Sequence, residues 1–215
     1  MVVRIITISA SYGAGGSVIA PAVAEQLGLP LIRRAITSDV AARMAGPLRE
    51  AVADEEHGAG PLSRLFSRTV RILSQGTYFA VPLTAEEEDE LGDQLQAGMA
   101  EAARRGGAVI LAPAALFVAG SGPDTFHVRL DGPVERRCER AAVIEKVDLD
   151  TAKAHQRDTD TARSLYVRHF YGASWDDPRL YHLVVDTTCL PLETSVDLIV
   201  SAARARFERA TEVAQ

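Results

Sequence analysis

Lysine is nearly absent from this chain of 215 residues. Lys146 and Lys153 are all there is, and arginine supplies the rest of the 23 cations. A lone arginine therefore says little about function, because arginine is the ordinary cation of this sequence. Cysteine is as scarce. Cys138 and Cys189 stand far apart, which excludes a disulfide framework and any cysteine-based metal motif. Aromatic residues make up only 6% of the chain, so any cluster of them stands out. No apolar run approaches the length of a membrane span. No signal-peptide pattern precedes the first apolar run, so the expected compartment is the cytoplasm, with no membrane partner. Positive charge is not in excess either. The net charge is −6 and the pI about 5.4, which argues against a dedicated nucleic-acid binder. The five histidines are scattered without metal-ligand spacing. No Ser/His/Asp order can be defended, repeats are absent, and nothing sets the oligomeric state.

What is present suits a globular domain. Apolar residues make up 47% and charged residues 24%, and a chain of this length buries roughly 70% of its unfolded surface. Residues 2–9, Val-Val-Arg-Ile-Ile-Thr-Ile-Ser, form a β-branched run that suits a strand buried on both faces. A glycine turn follows at Gly13-Ala14-Gly15-Gly16. Ser17 to Leu27 then reads as a helix, with Gly28 at its C-cap and a short strand from Pro30 to Ile32. Strand, turn, helix and strand make a βαβ unit, which favours a parallel sheet. Further strands are expected at 108–111, 125–130 and 183–186, with helices at about 133–144, 148–169 and 192–207. The middle of the chain, about 37–105, reads as a mostly helical insert. The expectation is one domain over 1–215: an α/β core of residues 1–36 and 106–215 with the 3–9 strand central in its sheet, and the insert between.

Three stretches carry possible chemistry. In Ser9-Ala10-Ser11-Tyr12-Gly13-Ala14-Gly15-Gly16-Ser17, a glycine turn between a buried strand and a helix aims backbone N–H groups and the positive helix end at one point. The phosphate-loop pattern G-x-x-x-x-G-K-[ST] can be laid onto residues 10–17. Gly15 then matches its second glycine and Ser17 its magnesium-binding hydroxyl. Ala10 replaces the first glycine, and Gly16 replaces the lysine. A side chain at Gly15 would enter the space of a bound anion. The alternative is a tight strand-to-helix turn that binds nothing. The second stretch holds Arg157, Asp160 and Arg163 at mutual spacings of three, with Arg168 beyond. It is either an arginine-rich lid, exposed until ligand arrives, or a solvated helix with ion pairs. The third runs from Phe170 to Tyr181 and holds a third of all the aromatic side chains; anchoring the core is the readier role than facing a ligand.

Taken together, Ile5 to Ala20, Asp160-Thr161-Ala162-Arg163-Ser164-Leu165-Tyr166 with Phe170-Tyr171-Gly172 and Trp175-x-Asp177-Pro178-x-Leu180-Tyr181, and Leu183-Val184-Val185-Asp186-Thr187 resemble the cytidylate kinase-like branch of the P-loop nucleoside monophosphate kinases. The resemblance runs over nearly the whole chain and is weakest at about 45–100. It implies a three-layer P-loop fold with a parallel five-stranded sheet, a helical monophosphate-binding insert and a lid at about 146–172. It implies ATP- and magnesium-dependent phosphoryl transfer to a pyrimidine nucleoside monophosphate. By matching position, Gly13, Ala14, Gly15, Gly16 and Ser17 would hold the donor phosphates, Ser17 the magnesium ion, and Arg157, Asp160 and Arg163 the transferring group. The chain departs from the family at Gly16, where cytidylate kinases have lysine. It departs again at Ser17 and Ala10, where the branch often has arginine, at Arg33, where it often has an acidic residue, and at Ala112-Pro113-Ala114. These departures lead to an expectation of weak activity, or of a catalytically impaired nucleotide-binding protein that acts as a regulator or partner-binding scaffold.

Overall fold

The computed structural model describes residues 4–33 and 106–213. The insert expected at 37–105 lies outside the described residues, as do the side chains of His169 and Phe170. The described elements run β1 (Arg4–Ala10), α1 (Gly16–Leu27), β2 (Leu31–Arg33), β3 (Gly107–Leu111), α2 (Ala115–Ala119), β4 (Thr125–Asp131), α3 (Val134–Glu145), α4 (Leu149–Tyr171), β5 (Leu183–Asp186) and α5 (Leu192–Val213). A 3-10 turn spans Pro178–Leu180. The five strands form one sheet in the order β2-β3-β1-β4-β5, and every neighbouring pair is parallel. β1 is therefore central, as its composition predicts.

The two faces of the sheet differ in chemistry. Successive side chains of a strand point to opposite faces. Ile6 and Ile8 of β1, Phe126, Val128 and Leu130 of β4 and Val185 of β5 pack against Ile19 and Val23 of α1 and Val196, Ile199 and Val200 of α5. The opposite face of β1 and β4 carries Thr7, Ser9, His127 and Arg129, all buried. Burial on both faces holds, but only one face is apolar. Each of these four side chains has at least one polar partner, although Arg129 Nη1 is buried without one: Thr7 Oγ1 meets His127 Nδ1 at 2.8 Å, and Ser9 Oγ donates to the Pro113 carbonyl at 3.1 Å. The His127 Nε2 lies 3.1 Å from the Gly120 carbonyl.

The covering layer on that polar face comes from α4 and the segment after it. Ala162, Tyr166 and Val167 of α4 pack with Ala114 and Trp175. Trp175 is buried, and the Arg129 guanidinium lies over its ring at 3.6 Å from the centroid. A desolvated cation over a tryptophan face contributes about 2 kcal/mol. The Tyr181 hydroxyl donates to the Trp175 carbonyl at 2.9 Å. The aromatic segment is a core anchor. α4 is one helix of 23 residues, capped by Asp148, which accepts from the Thr151 N–H.

Candidate functional site

The site is built where β1 ends in the middle of the sheet. In an open parallel sheet, ligands bind outside the carboxyl ends of the strands. Past Ala10 the chain keeps pairing for one residue, with the Ser11 N–H donating to the Leu130 carbonyl at 3.0 Å. It then turns through Gly13 and Gly15, both left-handed at φ 74° and 78°, into α1. At Gly13 only glycine fits, since a Cβ would fall on the Arg137 backbone carbonyl. Gly15 is the N-cap of α1 without a side-chain cap. Among the described residues, the amides of Gly15, Gly16 and Ser17 have no hydrogen-bond partner. Three unpaired donors at a helix start, with the positive end of the helix behind them, are what an anion site requires. Ser17 is exposed beside them.

Four arginines tie the turn to the surrounding elements. Arg163 Nη1 donates to the Ala10 carbonyl at 2.8 Å. Arg129 Nη2 donates to Ser11 Oγ at 3.0 Å, and to Asp176 at 2.9 Å. Arg137 Nη1 donates to the Tyr12 carbonyl at 2.7 Å. Arg140 donates through Nη2 to the Thr187 carbonyl at 2.6 Å, and Thr187 Oγ1 donates to the Ala14 carbonyl at 2.8 Å. Asp160 closes the set. Its carboxylate accepts from the Tyr12 N–H at 2.8 Å, from Arg137 Nη1 at 2.8 Å and from Gln156 at 3.0 Å. Burial pulls the Arg163 pKa down to about 10, partly offset by Asp160 and reinforced by Arg129 and Arg137, and the group stays charged at neutral pH.

The sequence-predicted residues therefore divide. Gly13, Ala14, Gly15, Gly16 and Ser17 form the turn and the first residues of α1. Asp160 and Arg163 reach it from α4. The expectation that Arg163 stands exposed is corrected: its side chain is 14% exposed and turned toward the turn, not toward solvent. Arg157 is exposed and makes no hydrogen bond or ion pair among the described residues. Arg168 is exposed. A Cβ at Gly15 would point at Leu192 Cδ2, 2.9 Å away, with Arg140 Nη1 at 3.6 Å. The obstacle there is a packed leucine rather than the anion's own space. Arg129, Arg137, Arg140 and Thr187 escaped the sequence reading because arginine is so common in this chain. A signal was present: Arg137 and Arg140 are spaced three apart on the helix directly after β4, and Thr187 directly follows β5.

Gly16 answers the question of the missing lysine. A Cβ built there lies 2.6 Å from the Ala10 methyl and 3.4 Å from Leu111 Cδ1. Relative to the phosphate-loop pattern, glycine and side chain have changed places. Ala10 brings a methyl where the pattern has glycine, and that methyl fills the room from which a side chain at position 16 would start.

The sequence profile of the cytidylate kinase-like family matches residues 5–189. The chain belongs to this family. Among relatives, it is 27% identical over 133 residues to a cytidylate kinase of Methanopyrus kandleri, covering 58% of this chain and 69% of that one. It is 29% identical over 122 residues to a cytidylate kinase of Aeropyrum pernix, covering 57% and 70%. A solved protein of Eubacterium ventriosum superposes with a TM-score of 0.57 at 18% identity, covering 94% of this chain and 98% of that one. A gluconokinase of Sinorhizobium meliloti does so at 0.52 and 18%, covering 99% and 98%. The structural likenesses concern the fold: a P-loop kinase sheet with helices on both faces. No helix among the described residues is long and apolar enough to cross a membrane.

Proposed function

We propose that this member of the cytidylate kinase-like family binds a nucleoside triphosphate at the glycine turn and transfers its terminal phosphoryl group, slowly, to a pyrimidine nucleoside monophosphate. The observation that carries the reading is the turn itself, with its three unpaired amides at the start of α1. Arg140 beside Gly15 and the exposed Arg157 on α4 supply cations that a phosphate chain of four negative charges would need. Asp160 and Arg163 act in this reading as positioning residues, because their polar atoms are bound to the backbone of the turn. The donor set also fits magnesium. No three His, Cys, Asp or Glu side chains converge on a metal position among the described residues. Magnesium asks for no such cage: it takes one or two protein oxygens and completes its shell with phosphate and water. The exposed Ser17 hydroxyl is the oxygen on offer. When bound, the ion would neutralise charge on the donor phosphates. The pyrimidine acceptor rests on the kinship with the cytidylate kinases.

The Ala10–Gly16 contact favours a second reading. A loop that cannot seat a lysine without moving Ala10 has lost one cation from phosphoryl transfer, and such losses cost orders of magnitude in rate. A nucleotide-binding regulator with impaired turnover is then the alternative. Calorimetric titration with nucleoside mono-, di- and triphosphates, with and without magnesium, is paired with an assay for diphosphate formation from ATP and CMP. Binding with magnesium-dependent turnover supports the kinase. Binding without turnover supports the regulator, and no binding at all overturns both.

A further inference from the structure

Tyr12 is bound at every one of its polar groups. Its N–H donates to Asp160 Oδ1 on α4, its carbonyl accepts from Arg137 on α3, and Arg137 and Asp160 pair with each other at 2.8 Å. Its hydroxyl donates at 2.6 Å to Oε2 of Glu145, the last residue of α3. The same oxygen lies 3.3 Å from His155 Nδ1 on α4, and the His155 ring meets the Tyr12 ring edge-on at 6.2 Å. The ring is 7% exposed and packs on Ala141 of α3 and Ala152 of α4. Burial, then the Glu145 carboxylate, raises the phenol pKa, so the hydroxyl remains a donor.

Anion binding by the turn asks nothing of the side chain at position 12, whose own N–H is already taken by Asp160. Plain packing would be served by a phenylalanine. The hydroxyl instead reaches the far end of α3, where α3 and α4 join, while the backbone of the same residue holds the first turn of α3 through Arg137 and the middle of α4 through Asp160. Gly13, left-handed, is the next residue. Any displacement of the α3–α4 hairpin must either break the Tyr12–Glu145 bond or carry residue 12, and with it the amides of the turn.

We infer that Tyr12 is a positioning residue that couples the α3–α4 hairpin to the glycine turn, so that hairpin seating and the geometry of the turn are one equilibrium. The consequence for ligands rests on the turn being the nucleotide phosphate site. Coupling is reciprocal: the factor by which a seated hairpin tightens nucleotide binding is the factor by which nucleotide favours the seated hairpin.

Tyr12→Phe keeps the ring and removes only the donor. Glu145→Ala removes the acceptor, and Glu145→Gln keeps one. Amide hydrogen exchange is followed over residues 143–155 and, in the turn, at the paired amides of Tyr12, Ala14, Val18 and Ile19, with ATP affinity measured by calorimetry in the presence of magnesium. In the ligand-free protein, Tyr12→Phe and Glu145→Ala are expected to speed exchange in both segments about tenfold, the double variant no further than either, and Glu145→Gln is expected to stay near wild type. ATP affinity should fall in the same variants by about fivefold to tenfold, at the low end of ordinary coupling. Unchanged exchange in the turn of Glu145→Ala, or additive effects in the double variant, overturns the coupling. If wild type binds no ATP, the nucleotide reading fails, while the exchange of the turn amides still decides whether Tyr12 joins the two elements.

Discussion

At the scale of single residues, the space around the glycine turn decides what substitution can do. Gly13→Ala places a methyl on the Arg137 carbonyl at a backbone angle of φ 74°. The left-handed backbone costs about 1–2 kcal/mol, and overpacking against backbone adds about 1–3 kcal/mol. The expected outcome is a melting temperature lower by on the order of 10 °C, read by thermal unfolding, with nucleotide binding lost in calorimetry. Restoring the loop lysine is a two-residue problem. Gly16→Lys alone must push its Cβ into the Ala10 methyl at 2.6 Å. Ala10→Gly removes that methyl first. The double variant Ala10→Gly/Gly16→Lys is expected to bind ATP about tenfold tighter than wild type, the worth of one charge-assisted hydrogen bond. Gly16→Lys alone is expected to show no gain and a lower melting temperature. Equal behaviour of the single and double variants in titration would refute the steric account.

At the scale of elements, α3 and α4 are attached to β1 and its turn through charge rather than through apolar contact alone. Asp160 is the centre of that attachment, with its side chain 17% exposed and that of Arg137 only 5%. Asp160→Ala leaves the Arg137 guanidinium buried without this partner and the Tyr12 N–H without an acceptor. Removing one member of a buried pair costs about 3–5 kcal/mol, so chemical denaturation should show a loss of that size. Arg157→Ala, one turn away on the exposed side of α4, is expected to leave stability within about 0.5 kcal/mol and to lower ATP affinity. A stability loss of equal size in both variants would sink the distinction. The bounds of these helices were legible from the sequence to within two residues; for α4 the N-cap Asp148 and the stop at Gly172 are local signals. The five-residue α2 was not, since Ala115–Ala119 lacks both a side-chain cap and a polar face.

At the scale of the whole molecule, the polar face of the sheet makes stability depend on pH. The His127 ring is buried on β4 and its pKa is lowered by that burial. His182 stacks on both His127 and Phe126, and its Nδ1 accepts the His127 N–H at 2.9 Å. Desolvation, with Arg206 and His127 nearby, lowers its pKa to about 4. A lowered pKa means that the folded state binds a proton less readily than the unfolded chain. Stability is therefore full above the ordinary histidine value of about 6.5 and falls as the pH drops from there toward 4. His182→Asn keeps an acceptor near the Nδ1 position and removes the titration. Thermal unfolding across this range should flatten in that variant. An unchanged slope would show that other groups carry the acid sensitivity.

What the sequence determined by itself is the order of the five strands and of the longer helices among the described residues, the parallel sheet, the central place of β1 and the position of the glycine turn. Each follows from something short in range: β-branched runs, helical periodicity, a glycine after a helix, a strand–turn–helix–strand succession. The family resemblance at both ends of the core follows from the same local patterns. Tertiary structure alone decided which of many arginines matter, that Arg163 faces inward, and that Ala10 fills the start of a side chain at position 16. These depend on contacts between residues far apart in the chain: Arg163 meets Ala10 across 153 positions, Arg137 meets Tyr12 across 125, and Arg129 meets Ser11 across 118. One guanidinium looks like another in a sequence rich in them. Only folding brings four to the glycine turn and its surroundings, where carbonyls, hydroxyls and carboxylates from distant elements accept from them.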